Sequence, residues 1–284
     1  MFYIQENDKP CKWLNKAFPK VELKENVIII TGMCEEMKEK KSIKLAKKID
    51  SILKKSKSNK LVLSKKIQEN EVIKNMLYSY GYDIVNGKWL FEGLSSQVID
   101  YIVAKKNIKK EESYISVLVN DLSDYTLQNI ILFAKEFKSL NIVTNHIEKF
   151  KKIEQKILKE TGLIITVTNN KKKSLTKPQI ILNIDFPNEL INKYNIKEDA
   201  IIINICNNIK IKKKRFNGLV INDYEINVND EVFDSSIFKS IDKYYINQIY
   251  EASFYKKIPY SDFYKKIKMD GCKIYRLYSI NGVF

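Results

Sequence analysis

Between residues 140 and 206 the chain alternates strand-length apolar runs with short polar or helical segments: LNIVT, a lysine-rich amphipathic stretch, LIITVT, QIILNID and AIIINIC. The runs are rich in Ile and Val and lack the in–out alternation of a half-solvated strand. Strands that read as buried on both faces belong to a parallel sheet with helices over both surfaces. This stretch therefore predicts an α/β fold with several adjacent parallel strands.

The chain before it has the same rhythm. A short edge strand is expected at residues 2–5 and a firm one at 26–32, NVIIITG. A helix follows over 36–54, where Leu45, Ala46, Ile49, Ile52 and Leu53 share one face. Strand 60–64, helix 70–80 with Gly81 as its stop, and strand 82–85 come next, with an Asn86-Gly87 turn suited to positive φ. One long helix, 88–104, carries Trp89, Leu90, Leu94, Val98, Ile99 and Ile102 as an apolar stripe, which makes Trp89 a core anchor. Strand 114–120 then opens onto a helix at 123–137, with Ser123 as its N-cap.

Later elements are strand 140–144, helix 148–161 stopped by Gly162, strands 163–168, 179–185, 200–206 and 218–223, an aromatic helix at 236–256 and a last strand near the end. The expected fold class is α/β: two Rossmann-like lobes with mainly parallel sheets covered by helices, divided as 1–122 and 123–284, the aromatic helix in the second. No 20–50-residue repeat is present, which excludes a solenoid.

The 284 residues suit one large α/β domain or two of ordinary size, and 44% apolar composition suffices for a core. No stretch of about 18 uncharged apolar residues exists, so no transmembrane helix is expected. The N-terminal sequence lacks the pattern of a secretory signal, and the expected location is cytoplasmic. Cys11, Cys34, Cys206 and Cys272 are far apart and His146 is the one histidine, so the spacing of a zinc site is missing and buried, reduced thiols are expected. The net charge of +16 is nearly all lysine, with Arg215 and Arg276 the two arginines. Few arginines argue against base-specific nucleic-acid recognition, and the charge fits either an AT-rich coding bias or a real anionic partner. Oligomeric state leaves no mark in the sequence.

In an open parallel sheet, ligands lie beyond the carboxyl ends of the strands. That rule selects Asn145, His146, Asn169, Asn170, Lys171, Lys172, Lys173, Asn183, Asp185 and Asn204 with the residues up to Asn207; the competing reading is that Asn and Asp simply end strands and make turns. The order strand, helix, strand ending in Asn-Asn-Lys, strand reading ILN before Asp-Phe-Pro, apolar strand, then Asn217-Gly218-Leu219-Val220 resembles the dinucleotide-binding lobe of the shikimate dehydrogenase and glutamyl-tRNA reductase group, over residues 140–223. The resemblance implies NADP as cofactor, with Asn169 or Asn170 and the lysines after them at its 2′-phosphate, and Asn183 at the end of the third strand. The group's glycine-rich first turn would fall on Thr144-Asn145-His146-Ile147-Glu148, which has no glycine and carries an acid that repels phosphate. In the first half, Lys65 is the one placed catalytic candidate, without an aspartate partner.

Three readings stand at this point. One is a Rossmann-like protein that binds a small molecule or an atypical nucleotide without catalysis. Another is an NADP-dependent oxidoreductase with an unusual turn. The third is a basic, nucleic-acid-associated protein.

Overall fold

The computed structural model describes residues 1–7, 19–33, 37–56, 58–205, 208–227, 240–257, 272–280 and 282–284. It is an α/β protein with two mainly parallel sheets, each flanked by helices. By contact it forms two units. One holds residues 1–87 with a returning helix, the other 88–227 with 272–284.

The first unit contains β1 (Phe2–Glu6), β2 (Lys20–Lys24), β3 (Val27–Thr31), α1 (Glu39–Leu53), β4 (Lys60–Leu63), α2 (Lys65–Glu69), α3 (Glu71–Ser79) and β5 (Asp83–Val85). Its sheet order is β2-β3-β1-β4-β5, parallel except for the outer β2. The short strand expected at an edge, β1, is instead central: Tyr3 and Ile4 are fully buried between β3 and β4. Successive residues separate to opposite faces. Ile4, Leu61, Leu63 and Ile84 meet Leu45, Ile49, Ile73 and Leu77 of the helices, while Tyr3, Val62 and Val85 meet Tyr244 and Ile249. Ile249 belongs to the aromatic helix, which runs Ile246–Lys257; residues 236–239 of the expected helix lie outside the described ones.

The second unit starts with α4 (Lys88–Gly93) and α5 (Ser95–Lys106), two helices where one was expected. It continues with β6 (Tyr114–Leu118), α6 (Asp124–Glu136), β7 (Ser139–Val143), α7 (Ile147–Thr161), β8 (Thr166–Thr168), β9 (Ile180–Asn183), α8 (Asn188–Ile191), β10 (Ile201–Asn204) and β11 (Leu219–Asn227). The aromatic helix is α9, and β12 (Lys273–Ser279) and β13 (Gly282–Val283) complete the order. Gly162, at φ 70°, ends α7 in the left-handed conformation that a Cβ would strain.

The sheet order is β8-β7-β6-β9-β10-β11-β12-β13, with parallel pairing from β8 through β11 and antiparallel pairing for β12 and β13. Renumbered from β6, the parallel strands read 3-2-1-4-5-6, the order of a doubly wound Rossmann sheet. Two sequence expectations change. The division expected at 122/123 put β6 in the first lobe, whereas β6 is hydrogen-bonded between β7 and β9 and starts the second sheet. The strand expected over 163–168 shortens to three residues, and Ile164 is 82% exposed. Its place at the sheet edge removes the cover that its composition predicted.

Candidate functional site at the carboxyl edge of the second sheet

In a sheet of this order the strand direction of the crossovers reverses between β6 and β9, and the crevice above their carboxyl ends is where such folds hold ligands. The first turn of the Rossmann pattern is therefore residues 119–123, Val-Asn-Asp-Leu-Ser, and not the turn at Thr144 that the sequence comparison selected. The whole correspondence moves by one βα unit. Asn145 and His146 follow the second strand, β7, and Asn169 to Lys172 follow the third, β8.

The first turn has no glycine, and the N–H groups of Asn120 and Asp121 are already used. The Asp185 carboxylate, just beyond β9, accepts the Asn120 N–H at 2.8 and 2.9 Å, the Asp121 N–H at 2.7 Å and the Asn120 side-chain amide at 3.2 Å. Asn120 Oδ1 in turn accepts the Asn145 N–H at 2.9 Å, so one side chain ties the ends of β6, β7 and β9 together. Burial raises the Asp185 carboxyl above its ordinary value of 3.8, opposed by the backbone donors of Asp121 and Asn120. Those are the N–H groups that a glycine-rich turn would point at a pyrophosphate.

A second carboxylate faces the start of α6, through hydroxyl groups. Ser123 caps it, its Oγ accepting the Thr126 N–H at 3.1 Å. Both the Ser123 and Thr126 hydroxyls donate to the Glu92 carboxylate, which α4 brings over the helix N-terminus. Asp121 and Asp124 are exposed beside this turn, and Lys149 reaches Asp121 at 3.6 Å across open surface. A helix N-terminus and a row of backbone amides, the two parts of an anion site, thus meet carboxylates of the protein itself.

The other sequence-selected residues have different surroundings. Asn183 is fully buried; its amide donates to Phe186 O at 2.9 Å and to Asn204 Oδ1 at 2.7 Å, and its Oδ1 accepts the Phe186 N–H at 2.9 Å. Asn204 passes the chain on to Asn222 Oδ1 at 3.1 Å. Asn170 closes a turn, its Oδ1 accepting the Lys172 and Lys173 N–H groups at 3.0 and 3.2 Å, which leaves Asn169, Lys171 and Lys172 exposed at the sheet edge. His146 is exposed, its N–H donating to Thr144 Oγ1 at 3.1 Å. Cys206 and Asn207 lie outside the described residues. Of the selected residues, Asn145 and Asp185 are joined through Asn120, and Asn183 and Asn204 directly.

Asn120, Asp121 and Glu92 were not selected from the sequence. The signal was present, since Asn-Asp after an apolar strand and before an N-capping serine marks the first turn of a βα unit. Reading β6 as the end of the first lobe hid it.

No family model and no curated protein matches the chain. Among solved structures it is similar to L-tryptophan dehydrogenase from Nostoc punctiforme, with 11% identity, TM-score 0.35, and 86% of this chain and 75% of that one covered. It is similar to the NAD-complexed D-isomer specific 2-hydroxyacid dehydrogenase from Lactobacillus delbrueckii ssp. bulgaricus, with 10% identity, TM-score 0.31, and 95% and 96% covered. For the A chain of dipicolinate synthase from Bacillus subtilis the figures are 12%, 0.32, and 51% and 48%, so the match spans about half of that protein. The Rossmann-like fold rests on hydrogen-bonded strand order.

An NADP implied by the sequence resemblance does not fit the first turn. Its pyrophosphate would need the N–H groups held by Asp185 and the helix start faced by Glu92. Among the described residues no helix is long and apolar enough to cross a membrane.

Proposed function

We propose that the protein is a Rossmann-like binding protein that takes a small ligand at the carboxyl edge of its second sheet without a pyrophosphate at the first turn, and that it does not carry out NAD(P)-linked oxidoreduction. The observation behind this reading is the Asp185 carboxylate on the Asn120 and Asp121 N–H groups. Removing that carboxylate from the turn costs hydrogen bonds to a charged acceptor, each worth about 1.5–3 kcal/mol, which a dinucleotide phosphate would first have to replace. Glu92, Asp121 and Asp124 add negative charge where the phosphate would arrive. A neutral or cationic ligand meets no such opposition.

Titration of the protein with NADPH and NADH, followed by nicotinamide fluorescence, tests the reading. The expected result is no saturable binding in the micromolar range where dehydrogenases bind their cofactors. Tight NADPH binding accompanied by turnover of a keto acid or polyol would overturn it.

A further inference from the structure

The loop from β10 to β11 places five cations within six residues: Lys210, Lys212, Lys213, Lys214 and Arg215. Its backbone is fastened from two sides. Asn188 Oδ1 accepts the Lys210 N–H at 3.2 Å, Asn192 Oδ1 accepts the Lys212 N–H at 2.8 Å, and the Asn192 amide donates to Lys210 O at 3.1 Å. From β11, Asn222 Oδ1 accepts the Ile209 N–H at 3.0 Å and its amide donates to Ile209 O at 3.3 Å.

The side chains follow the alternation of an extended segment. Ile209 is buried and Ile211 packs on the same core, which turns Lys210 and Lys212 outward; Lys213 is half-buried, and Lys214 and Arg215 are exposed at the turn beyond. Phe216 returns to the core and closes the segment. None of the five cations has an ion-pair partner among the described residues, whereas Lys110 sits 2.5 Å from Asp100 and 2.6 Å from Glu136. Compositional bias explains many lysines. It does not explain why five stand within six residues on a backbone fastened from both sides.

We infer that this strap, residues 209–216, is a docking surface for the phosphate backbone of nucleic acid. Cations already arranged in a row lose little freedom on meeting a polyanion and gain the release of its condensed counterions. Four of the five are lysines, which act as point charges on phosphate and lack the fork that reads guanine, so the binding depends little on base sequence. An anionic membrane would attract the same charge. It would also want apolar side chains for insertion, and here Ile209 and Ile211 face the protein core.

The test is fluorescence anisotropy of a labelled oligothymidylate across a salt series, with two charge-matched variants of the full chain. One is K210Q/K212Q/K213Q/K214Q/R215Q. The other, K38Q/K40Q/K44Q/K47Q/K55Q, removes five exposed charges on and beside α1. The strap variant is expected to bind at least about tenfold more weakly, with a salt slope shallower by about 3.5, since each phosphate on a single strand contributes about 0.7. The α1 variant should stay within about twofold of wild type by the same reasoning. Photo-cross-linking of the unaltered protein to the same oligonucleotide should map to residues 209–216, a readout independent of how the variants fold. Equal losses in both variants, cross-links concentrated elsewhere, or binding to phosphatidylserine vesicles with none to the oligonucleotide would each overturn the assignment.

Discussion

Asp185 is a carboxylate that its surroundings pull in two directions. Burial favours the neutral acid, while the Asn120 and Asp121 N–H groups favour the anion, and burial is the larger influence. Because the folded chain then holds the proton more tightly than the unfolded one, this group's contribution to stability is fully present below 3.8 and is lost as pH rises through its elevated folded value. Asp185→Asn puts an amide NH2 against N–H donors and should cost about 1–3 kcal/mol at neutral pH. In urea unfolding of the two proteins, the gap should widen as pH is lowered toward 4, since wild type alone gains from proton uptake. A gap that narrows on acidification would mean that the hydrogen bonds outweigh burial. Asp185 was legible as an end-of-strand acid. Its partners were not, because Asn120 and Asp121 lie 65 and 64 positions away in sequence and meet it only once β6 and β9 are adjacent.

At the scale of elements, three neighbouring strands carry asparagine side chains that bond to one another: Asn183 at the end of β9, Asn204 at the end of β10 and Asn222 within β11. Such a ladder satisfies polar groups that the close-packed strands bury, and removing one rung leaves others without partners. Asn204→Ala should therefore lower stability by about 1–3 kcal/mol in chemical denaturation, whereas Asn169→Ala at the exposed sheet edge should change it by less than about 0.5 kcal/mol. Comparable effects at the two positions would refute the distinction. From the sequence alone both residues look alike, each a polar residue after an apolar strand. Only the pairing of strands separates an internal rung from an exposed turn. The lysines beyond β8 allow a second test at this scale. If they held an NADP 2′-phosphate, K171A/K172A/K173A would weaken NADPH far more than NADH; equal, weak affinity for both cofactors before and after substitution is the expected outcome.

For the whole chain, the helices and strands were largely readable because hydrophobic period and caps are local: Ser123 does cap α6, its Oγ accepting the Thr126 N–H. Strand order was not readable in that way. Consecutive apolar runs look the same whether they are central or peripheral, so β1 was expected at an edge, β6 in the wrong sheet, and β8 at twice its length. Order has a measurable consequence. In the second sheet β6, β9 and β10 have hydrogen-bonded neighbours on both sides and residues such as Ile115, Val117, Ile181 and Ile202 with no exposure, while β8 is paired on one side and its first residue is exposed. Native-state hydrogen exchange should rank their amides accordingly, with Tyr114–Leu118, Ile180–Asn183 and Ile201–Asn204 exchanging only through the largest openings and Thr166–Thr168 through local fraying. If the amides of β6 exchange as fast as those of β8, β6 is not the central strand. The first turn would then not lie at residues 119–123, and Asp185 would not stand in a dinucleotide's place.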